Sequence, residues 1–269
     1  MRINTNTAAM NTYSRLGSAN KAKSNSLAKL SSGFRINKAG DDAAGLSISE
    51  KMKNQISGLA QATRNSQDGI SLIQTAEGAL NETHSMLNRV RDLAVQAANG
   101  TNEDKDITAI QKEVTELVAE IDNVAAKTTF NGKQLLDGSV TAGFDIQTGT
   151  KDGDVLNITI TNMSSGTEGL GLTLTDISAD DIIASIDGAI DAVSVERSNL
   201  GAKQNRLEHT INNLTTTKEN LSEANSRIRD VDMAEEMMSF TKSNILSQAS
   251  TAMLAQANQM PQGVLQLLG

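Results

Sequence analysis

A heptad repeat in the C-terminal half sets the strongest limit on how this chain can fold. An apolar residue recurs every seven positions, without interruption, at Ile186, Val193, Leu200, Leu207, Leu214, Leu221 and Ile228. Such a stripe indicates a long helix whose one apolar seam packs against another helix. We predict a helix over about 180–229, with Ser178 and Asp181 forming a capping box at its start. A helix of that length is roughly 75 Å long, so a rod is expected.

The N-terminal half offers a partner helix with the same period. One heptad position over about 43–98 is apolar apart from Ser66, and Asn99-Gly100 predicts a left-handed stop at its end. The apolar members are Met52, Leu59, Ile73, Leu80, Leu87 and Ala94. A second helix is predicted over about 103–128, because acidic residues open it. Its apolar residues alternate at spacings of three and four: Ile107, Ile110, Val114, Leu117, Ile121 and Val124.

Residues 139–176 change period and predict a small β section. Asn131-Gly132 and Asp137-Gly138 are turn signals that precede it. Three stretches then alternate apolar with polar residues, as half-exposed strands do: GFDIQTG, DVLNITITN and LGLTLTD. The fold class that follows is mainly α: a long rod-like antiparallel coiled-coil helical bundle, with a small β-hairpin section at the end distal to the termini.

The two terminal arms differ in charge. Residues 1–40 contain seven basic and no acidic residues, whereas residues 230–269 contain four acidic residues and one basic residue. Attraction between the two ends, a transit peptide and nucleic-acid binding are alternative explanations. The arms carry too few apolar residues to offset the cost of ordering, about 1–2 kcal/mol per residue for the backbone. We therefore expect both arms to be disordered in the monomer and to fold when packed among copies.

Residues suited to catalysis or metal binding are scarce. The chain has no cysteine and two histidines, and it lacks the usual zinc-protease, phosphate-loop, nucleophile-elbow and dinucleotide motifs. Carboxylate pairs stand where helices begin, which suits capping better than catalysis: Asp41-Asp42, Asp180-Asp181 and Glu235-Glu236. No catalytic, metal or cofactor site is expected. No apolar run is long enough to span a membrane, and the N-terminus has no ordinary secretory signal.

Five stretches, in order along nearly the whole chain, resemble bacterial flagellin: MRINTNTAAMNTYSRL, LAKLSSGFRINKAGDDAAGLSISEKM, LNRVRDLAVQAANGT, FNGKQLLDG and MLAQANQMPQGVLQLLG. The resemblance is to a short form that lacks the large outer domains. It implies a structural subunit that polymerises into the extracellular flagellar filament used for motility. It also implies unfolded export by the flagellar type III pathway. The implied partners are other copies of the chain, an export chaperone, and the filament cap and hook-junction proteins.

The resemblance assigns roles to three groups of residues. Those of the spoke between inner and outer tubes, which we interpret as a joint, are Gly33, Arg35, Lys38, Asp41, Asp42 and Gly45. Those of the chaperone and assembly arm are Met237, Phe240, Ile245, Met253, Val264, Leu267 and Leu268. Those matching the contacts of a flagellin-recognising Toll-like receptor are Arg89, Leu93 and Glu113. Arg35 and Lys38 are expected to pair with acids on the same or a neighbouring subunit.

Three segments are predicted from these observations: an N-terminal arm and spoke over 1–42, a rod over 43–229 and a C-terminal arm over 230–269. The two arms would form the inner tube of the filament. A hook–filament junction protein, which shares the terminal pattern, is the nearest alternative. An enzyme carried in the middle of the chain and a nucleic-acid-binding coiled coil are the others.

Overall fold

A computed structural model describes residues 6–140, 142–167, 169–172 and 182–268, with the side chains of the last helix described as far as Met260. The described chain is mainly helical, with short antiparallel strand pairs, as predicted. The helices are α1 (Thr7–Ser32), α2 (Ala43–Ala97), α3 (Asp104–Lys127), α4 (Ile182–Arg229) and α5 (Met233–Leu268). The strands are β1 (Thr129–Phe130), β2 (Lys133–Gln134), β3 (Phe144–Gln147) and β4 (Val155–Ile158).

The chain divides into two compact units. The first consists of Met1–Ile56 and Glu219–Gly269, and the second of Ser57–Lys218. Both divisions fall inside helices, because α2 and α4 each belong partly to one unit and partly to the other. The three-segment division at residues 42 and 229 remains a prediction.

The heptad stripes of α2 and α4 form the core of the second unit. Leu80 and Leu87 of α2 and Ile186, Val193 and Leu200 of α4 are fully buried in one apolar cluster. Ion pairs join the two helices in antiparallel order: Arg91 Nε lies 2.6 Å from Asp187 Oδ1, and Arg197 Nη2 lies 3.9 Å from Glu77 Oε1. The predicted antiparallel pairing of the two repeats is therefore confirmed within this unit.

Helix α3 begins as predicted, but α2 ends differently. Asp104 and Asp106 lie in the first turn of α3, and the carboxylate of Asp106 accepts a hydrogen bond from the Glu103 N–H at 3.3 Å. The predicted left-handed stop at Asn99-Gly100 is wrong, since neither residue has a positive φ. The chain instead leaves α2 through a turn in which the Asn99 N–H donates to the Gln96 carbonyl at 3.2 Å.

The β section of the second unit is smaller than predicted. Asn131 and Gly132 have φ values of 50° and 77°, which suit the two-residue turn between β1 and β2. Strands β3 and β4 form a second antiparallel pair. A Cβ on Gly69 would lie 3.3 Å from both Ile146 of β3 and Leu207 of α4, so a residue without a side chain permits close packing of the hairpin on α2.

The third predicted strand is not formed where it is described, because residues 169–172 adopt turns and irregular chain. The rest of that stretch lies outside the described residues, as do the predicted capping box of Ser178 and Asp181 and the pair Asp180-Asp181. Turn formation is favoured locally: the N–H groups of Leu170 and Leu172 donate to the carbonyls of Ser164 and Ser165, each at 2.8 Å, so neither is free to pair with a strand.

Candidate assembly surface

Helices α1 and α5 pack along their length in the first unit. Heptad-spaced residues with reduced exposure run along each helix. In α1 they are Ala9, Thr12, Leu16, Ala19, Lys23, Ser26 and Leu30, and in α5 they are Glu236, Phe240, Ser243, Ser247, Ser250, Leu254 and Ala257. We call these two rows the arm seam. Most members are small or polar, so the seam buries little apolar surface per turn.

Most of the large apolar side chains of this pair lie outside the arm seam and are exposed. Met10 and Tyr13 of α1 are 65% and 69% exposed, and Met253 of α5 is 64% exposed. The others with high exposure are Leu27, Met233, Met237, Met238, Ile245, Leu246 and Met260. Exposed apolar surface on this scale marks an interaction site on a soluble protein. Of the predicted arm residues, only Phe240 lies in the seam; the side chains of Val264, Leu267 and Leu268 lie beyond those described.

The joint between α1 and α2 is held by local polar contacts. Gly33 ends α1 at a φ of 73°, and its N–H donates to the Lys29 carbonyl at 2.8 Å. Asp42 caps α2, because its Oδ1 accepts from the Gly45 N–H at 2.9 Å. Gly45 is buried, and a Cβ there would lie 2.7 Å from Ile36 Cδ1. The prediction that Asp42 starts the next helix is confirmed.

Asp41 has a different role from its neighbour. Its Oδ2 accepts hydrogen bonds from the backbone N–H groups of Lys38 at 2.9 Å and Asn37 at 3.1 Å. These bonds hold the pKa of Asp41 below its usual value. The carboxylate therefore closes the loop that precedes Asp42 rather than capping α2 itself.

Among the described residues, Arg35 forms no ion pair with an acidic side chain. Arg35 Nη2 donates to the carbonyl oxygen of Ile228 at 2.6 Å. Its backbone N–H donates to the Arg229 carbonyl at 2.7 Å, and the Val231 N–H donates to the Gly33 carbonyl at 3.1 Å. Arg35 thus joins the α1–α2 connection to the α4–α5 connection through main-chain acceptors. Lys38 makes no ion pair among the described residues, so its predicted partner remains open.

Arg229 strengthens this junction with its side chain. Its guanidinium carbon lies 4.7 Å from the centroid of the Phe34 ring, within the range of a cation–π interaction. Its Nη1 lies 2.7 Å from Glu50 Oε1 on α2. We call the junction the clasp, which consists of residues 33–36 and 228–231 together with Glu50. Sequence reasoning missed Arg229, Phe34 and Glu50, because no short motif joins positions so far apart in the chain.

The predicted receptor-contact residues come together in the second unit. Arg89 of α2 and Glu113 of α3 form an exposed ion pair, with Nη2 2.7 Å from Oε1. Leu93, one turn further along α2, is only 2% exposed and belongs to the apolar core. Two polar groups are therefore available at the surface, and Leu93 packs beneath it.

The described part of the chain contains no candidate metal site. No three His, Asp or Glu side chains gather there to hold a metal ion. A helix long and apolar enough to cross a membrane is also absent from the described residues. What the described residues do present is a well-packed second unit and a first unit with unsatisfied apolar faces. The exposed apolar side chains of the first unit therefore offer a surface against which another chain could pack.

Comparison with known proteins identifies the family. Residues 3–141 match the bacterial flagellin N-terminal helical region, and residues 183–268 match the bacterial flagellin C-terminal helical region. A flagellin of Bacillus subtilis is 52% identical over 305 aligned positions, and one of Halalkalibacterium halodurans is 54% identical over 272. Both alignments cover 100% of this chain and of the relative. The crystal structure of Bacillus cereus flagellin aligns with a TM-score of 0.50 and 37% identity, over 60% of this chain and 94% of that one.

The chain therefore belongs to the flagellin family. Flagellins are structural proteins, not enzymes, and they polymerise into the extracellular filament of the bacterial flagellum. The predicted resemblance to flagellin is confirmed, and the alternatives of a junction protein, an enzyme and a nucleic-acid-binding coiled coil are set aside.

Proposed function

We propose that this chain builds a flagellar filament by burying the outward faces of α1 and α5 between neighbouring copies. The observation that carries the proposal is that the large apolar residues of this helix pair, such as Met10, Tyr13 and Met253, lie outside the arm seam. These side chains take no part in the interface between α1 and α5, so they are free to pack against another copy of the chain. Burial stabilises by about 25 cal/mol for each Å² of apolar surface removed from water. Several neighbours can therefore supply a large driving force.

The contacts between copies are heterologous. Different surfaces of one subunit meet different surfaces of its neighbours, so the array stays open and grows as a helix instead of closing into a ring. In this proposal residues 1–42 and 230–269 form the inner tube, and residues 43–229 form the layer around it. Gly33, Asp42 and Gly45 act at the joint between the two layers.

Seeded polymerisation tests the proposal. Met253→Lys would bring a charge into the apolar contact between copies, so the concentration needed for filament growth should rise at least about tenfold, equivalent to 1.4 kcal/mol. Gln248→Lys is the matched control, because Gln248 is also an exposed residue of α5. Sedimentation and electron microscopy would measure both chains on the same seeds.

Equal growth of the two variants would exclude this face of α5 as the assembly surface. A parent chain that forms no fibres on seeds would exclude the proposed function altogether.

Export and assembly partners complete the proposal. The chain leaves the cell unfolded through the flagellar type III pathway. An export chaperone shields the C-terminal arm, residues 233–268, whose apolar side chains would otherwise associate early. The filament cap receives the chain, and hook-junction proteins begin the filament. The C-terminal residues 264–269 are also proposed to be read by a cytosolic innate sensor.

A second role follows from the exposed ion pair of Arg89 and Glu113. We propose that a flagellin-recognising Toll-like receptor of vertebrates binds this face of the second unit. Interfaces of this kind concentrate their binding energy in a few residues, arginine prominent among them. Leu93, which is buried, supports the face from beneath and contributes contact only at its edge.

Receptor reporter cells test this role. Arg89→Ala should lower the potency of soluble protein about tenfold or more, because arginine is enriched among hot-spot residues, whose truncation costs about 2 kcal/mol or more. Arg64→Ala is the matched control: Arg64 is an exposed arginine of the same helix whose guanidinium donates hydrogen bonds to Gln61. Equal potency of the two variants would rule out Arg89 as a contact.

A further inference from the structure

The residues of the arm seam constrain the alignment of α1 against α5 only weakly. Its buried members are Ala19, Ser26 and Ala257, all small, and the large apolar members Leu16, Leu30, Phe240 and Leu254 are only half-buried. Knobs of distinctive shape normally lock two helices into one alignment, whereas small buried residues constrain the alignment much less. Something else must determine which residues of α1 meet which residues of α5.

Three polar side-chain contacts between α1 and α5 fit one antiparallel register. Ser247 Oγ donates to Asn20 Oδ1 at 2.8 Å, and Lys23 Nζ donates to Asn244 Oδ1 at 2.8 Å. Lys29 Nζ lies 3.8 Å from Glu236 Oε2. As the residue number rises along α1, the partner's number falls by a similar amount along α5. A shift of one turn would break all these contacts together.

The clasp has the same register as the helices that leave it. Phe34 and Asp230 form an isolated antiparallel bridge, which continues the numbering of the polar pairs between α1 and α5. A shift of register would move each main-chain N–H out of hydrogen-bonding distance of its present acceptor. The bridge lies directly where α1 ends and α5 begins, so its alignment is passed to both helices.

We infer that the clasp sets the register of α1 against α5 and that Arg229 is its positioning residue. Arg229 holds Phe34 on one side and Glu50 on the other, which fixes the bridge against the start of α2. The inference rests on the proposed function and deepens it. A shift of one turn moves the outward apolar row of one helix by about 5 Å against that of the other, and neighbouring copies would then meet a mismatched surface.

Crosslinking tests the register directly, since the chain contains no cysteine. One variant pair, Asn20→Cys with Ser247→Cys, reports the observed register. The second, Asn20→Cys with Ser250→Cys, reports a shift of about one turn and makes the same two types of substitution. A short bifunctional thiol reagent is applied to filaments, and the ratio of the two crosslinking yields is measured. The first pair should react at least about tenfold more, which corresponds to 1.4 kcal/mol in favour of one register.

Removing the positioning side chain should reduce this preference. Arg229→Gln loses both the cation–π contact and the ion pair, so the ratio should fall about tenfold. Arg227→Gln is the matched control, because Arg227 is an arginine of the same helix end that pairs only with Glu223 among the described residues; its ratio should be unchanged. Arg229→Lys keeps the charge but not the planar group and should lie between them.

Each result decides the matter. An unchanged ratio in Arg229→Gln filaments, or a preference for Ser250→Cys in the parent, overturns the inference. If Arg229→Gln chains do not assemble, Phe34→Leu, which keeps an apolar side chain, is measured by the same ratio with the same two outcomes. A parent chain that never polymerises refutes the proposed function instead, whereas a parent that polymerises and an Arg229→Gln ratio that is unchanged refute the inference alone.

Discussion

Two adjacent aspartates fulfil separate tasks at the joint between α1 and α2. Asp42 satisfies a backbone N–H at the start of α2, whereas Asp41 satisfies two N–H groups in the loop before it. A depressed pKa gives stability above the unfolded-state pKa, and this stability is lost as the pH falls through the folded-state value. The ionised form of Asp41 therefore supports the loop at neutral pH, and acid removes that support.

Asp42→Lys should impair filament assembly and leave the long helices intact. Loss of the cap costs about 0.5–2 kcal/mol, and the new positive charge lies at the positive end of the α2 dipole. Asp42→Asn is the matched control, because asparagine caps as well as aspartate. Helix content by circular dichroism and growth on seeds would be measured for both variants.

Gly45→Pro changes the residue whose N–H donates to Asp42 at the same joint. Proline has no N–H to donate to Asp42 Oδ1, and its ring adds atoms where the Ile36 side chain packs. Gly40→Ala is its control, since a Cβ at Gly40 meets nothing within 4 Å. Growth at the parent's rate in both Asp42→Lys and Gly45→Pro would mean that the joint does not govern assembly.

Residue-level roles were predictable where the cause is local. Asp42 and the acids that open α3 were recognised, because a cap and its N–H groups lie within a few positions of each other. The clasp was not, because Phe34 and Arg229 are far apart in sequence and no short motif joins them. Arg35 was expected to pair with an acid on the same or a neighbouring subunit. Among the described residues its side chain donates instead to the Ile228 carbonyl, and pairing with a neighbouring subunit stays a prediction.

At the scale of elements, the apolar period predicted α2 and α4 because their stripes are both regular and buried. Ile186 and Leu80 lie where a repeat of seven places them, inside the core of the second unit. The terminal helices have a different arrangement. There the apolar residues Met10 and Leu27 are exposed, and the residues facing the partner helix are mostly small or polar.

In α1 and α5, small and polar residues face the partner helix and most of the large apolar residues face outward, and this arrangement suits assembly with other copies. A helix that folds against its own chain places its largest apolar residues inward, whereas one that serves a polymer keeps them for its neighbours. The seam between the two helices then needs only close approach and matched polar pairs, which serine, alanine and lysine provide. Apolar periodicity in a single sequence cannot separate these cases, because both give the same spacing.

For the whole molecule, the two units differ in where their stability comes from. The second unit has one continuous apolar core drawn from α2, α3, α4 and the strands. The terminal helices of the first unit contribute few large buried side chains, and ordering a backbone costs about 1–2 kcal/mol per residue. Their order should therefore depend on neighbouring copies.

Hydrogen exchange read by mass spectrometry tests this dependence. In dilute soluble chain, α1 and α5 should exchange within seconds, because too little apolar surface is buried to keep them closed. In filaments both should become protected. Helix α3 is the internal control: at 24 residues it is close in length to α1 at 26, but its apolar face lies in the core of the second unit, so it should be protected in both states. If α1 and α5 were as protected as α3 in dilute monomer, the terminal helices would be stable without neighbours, and assembly could not be what orders them.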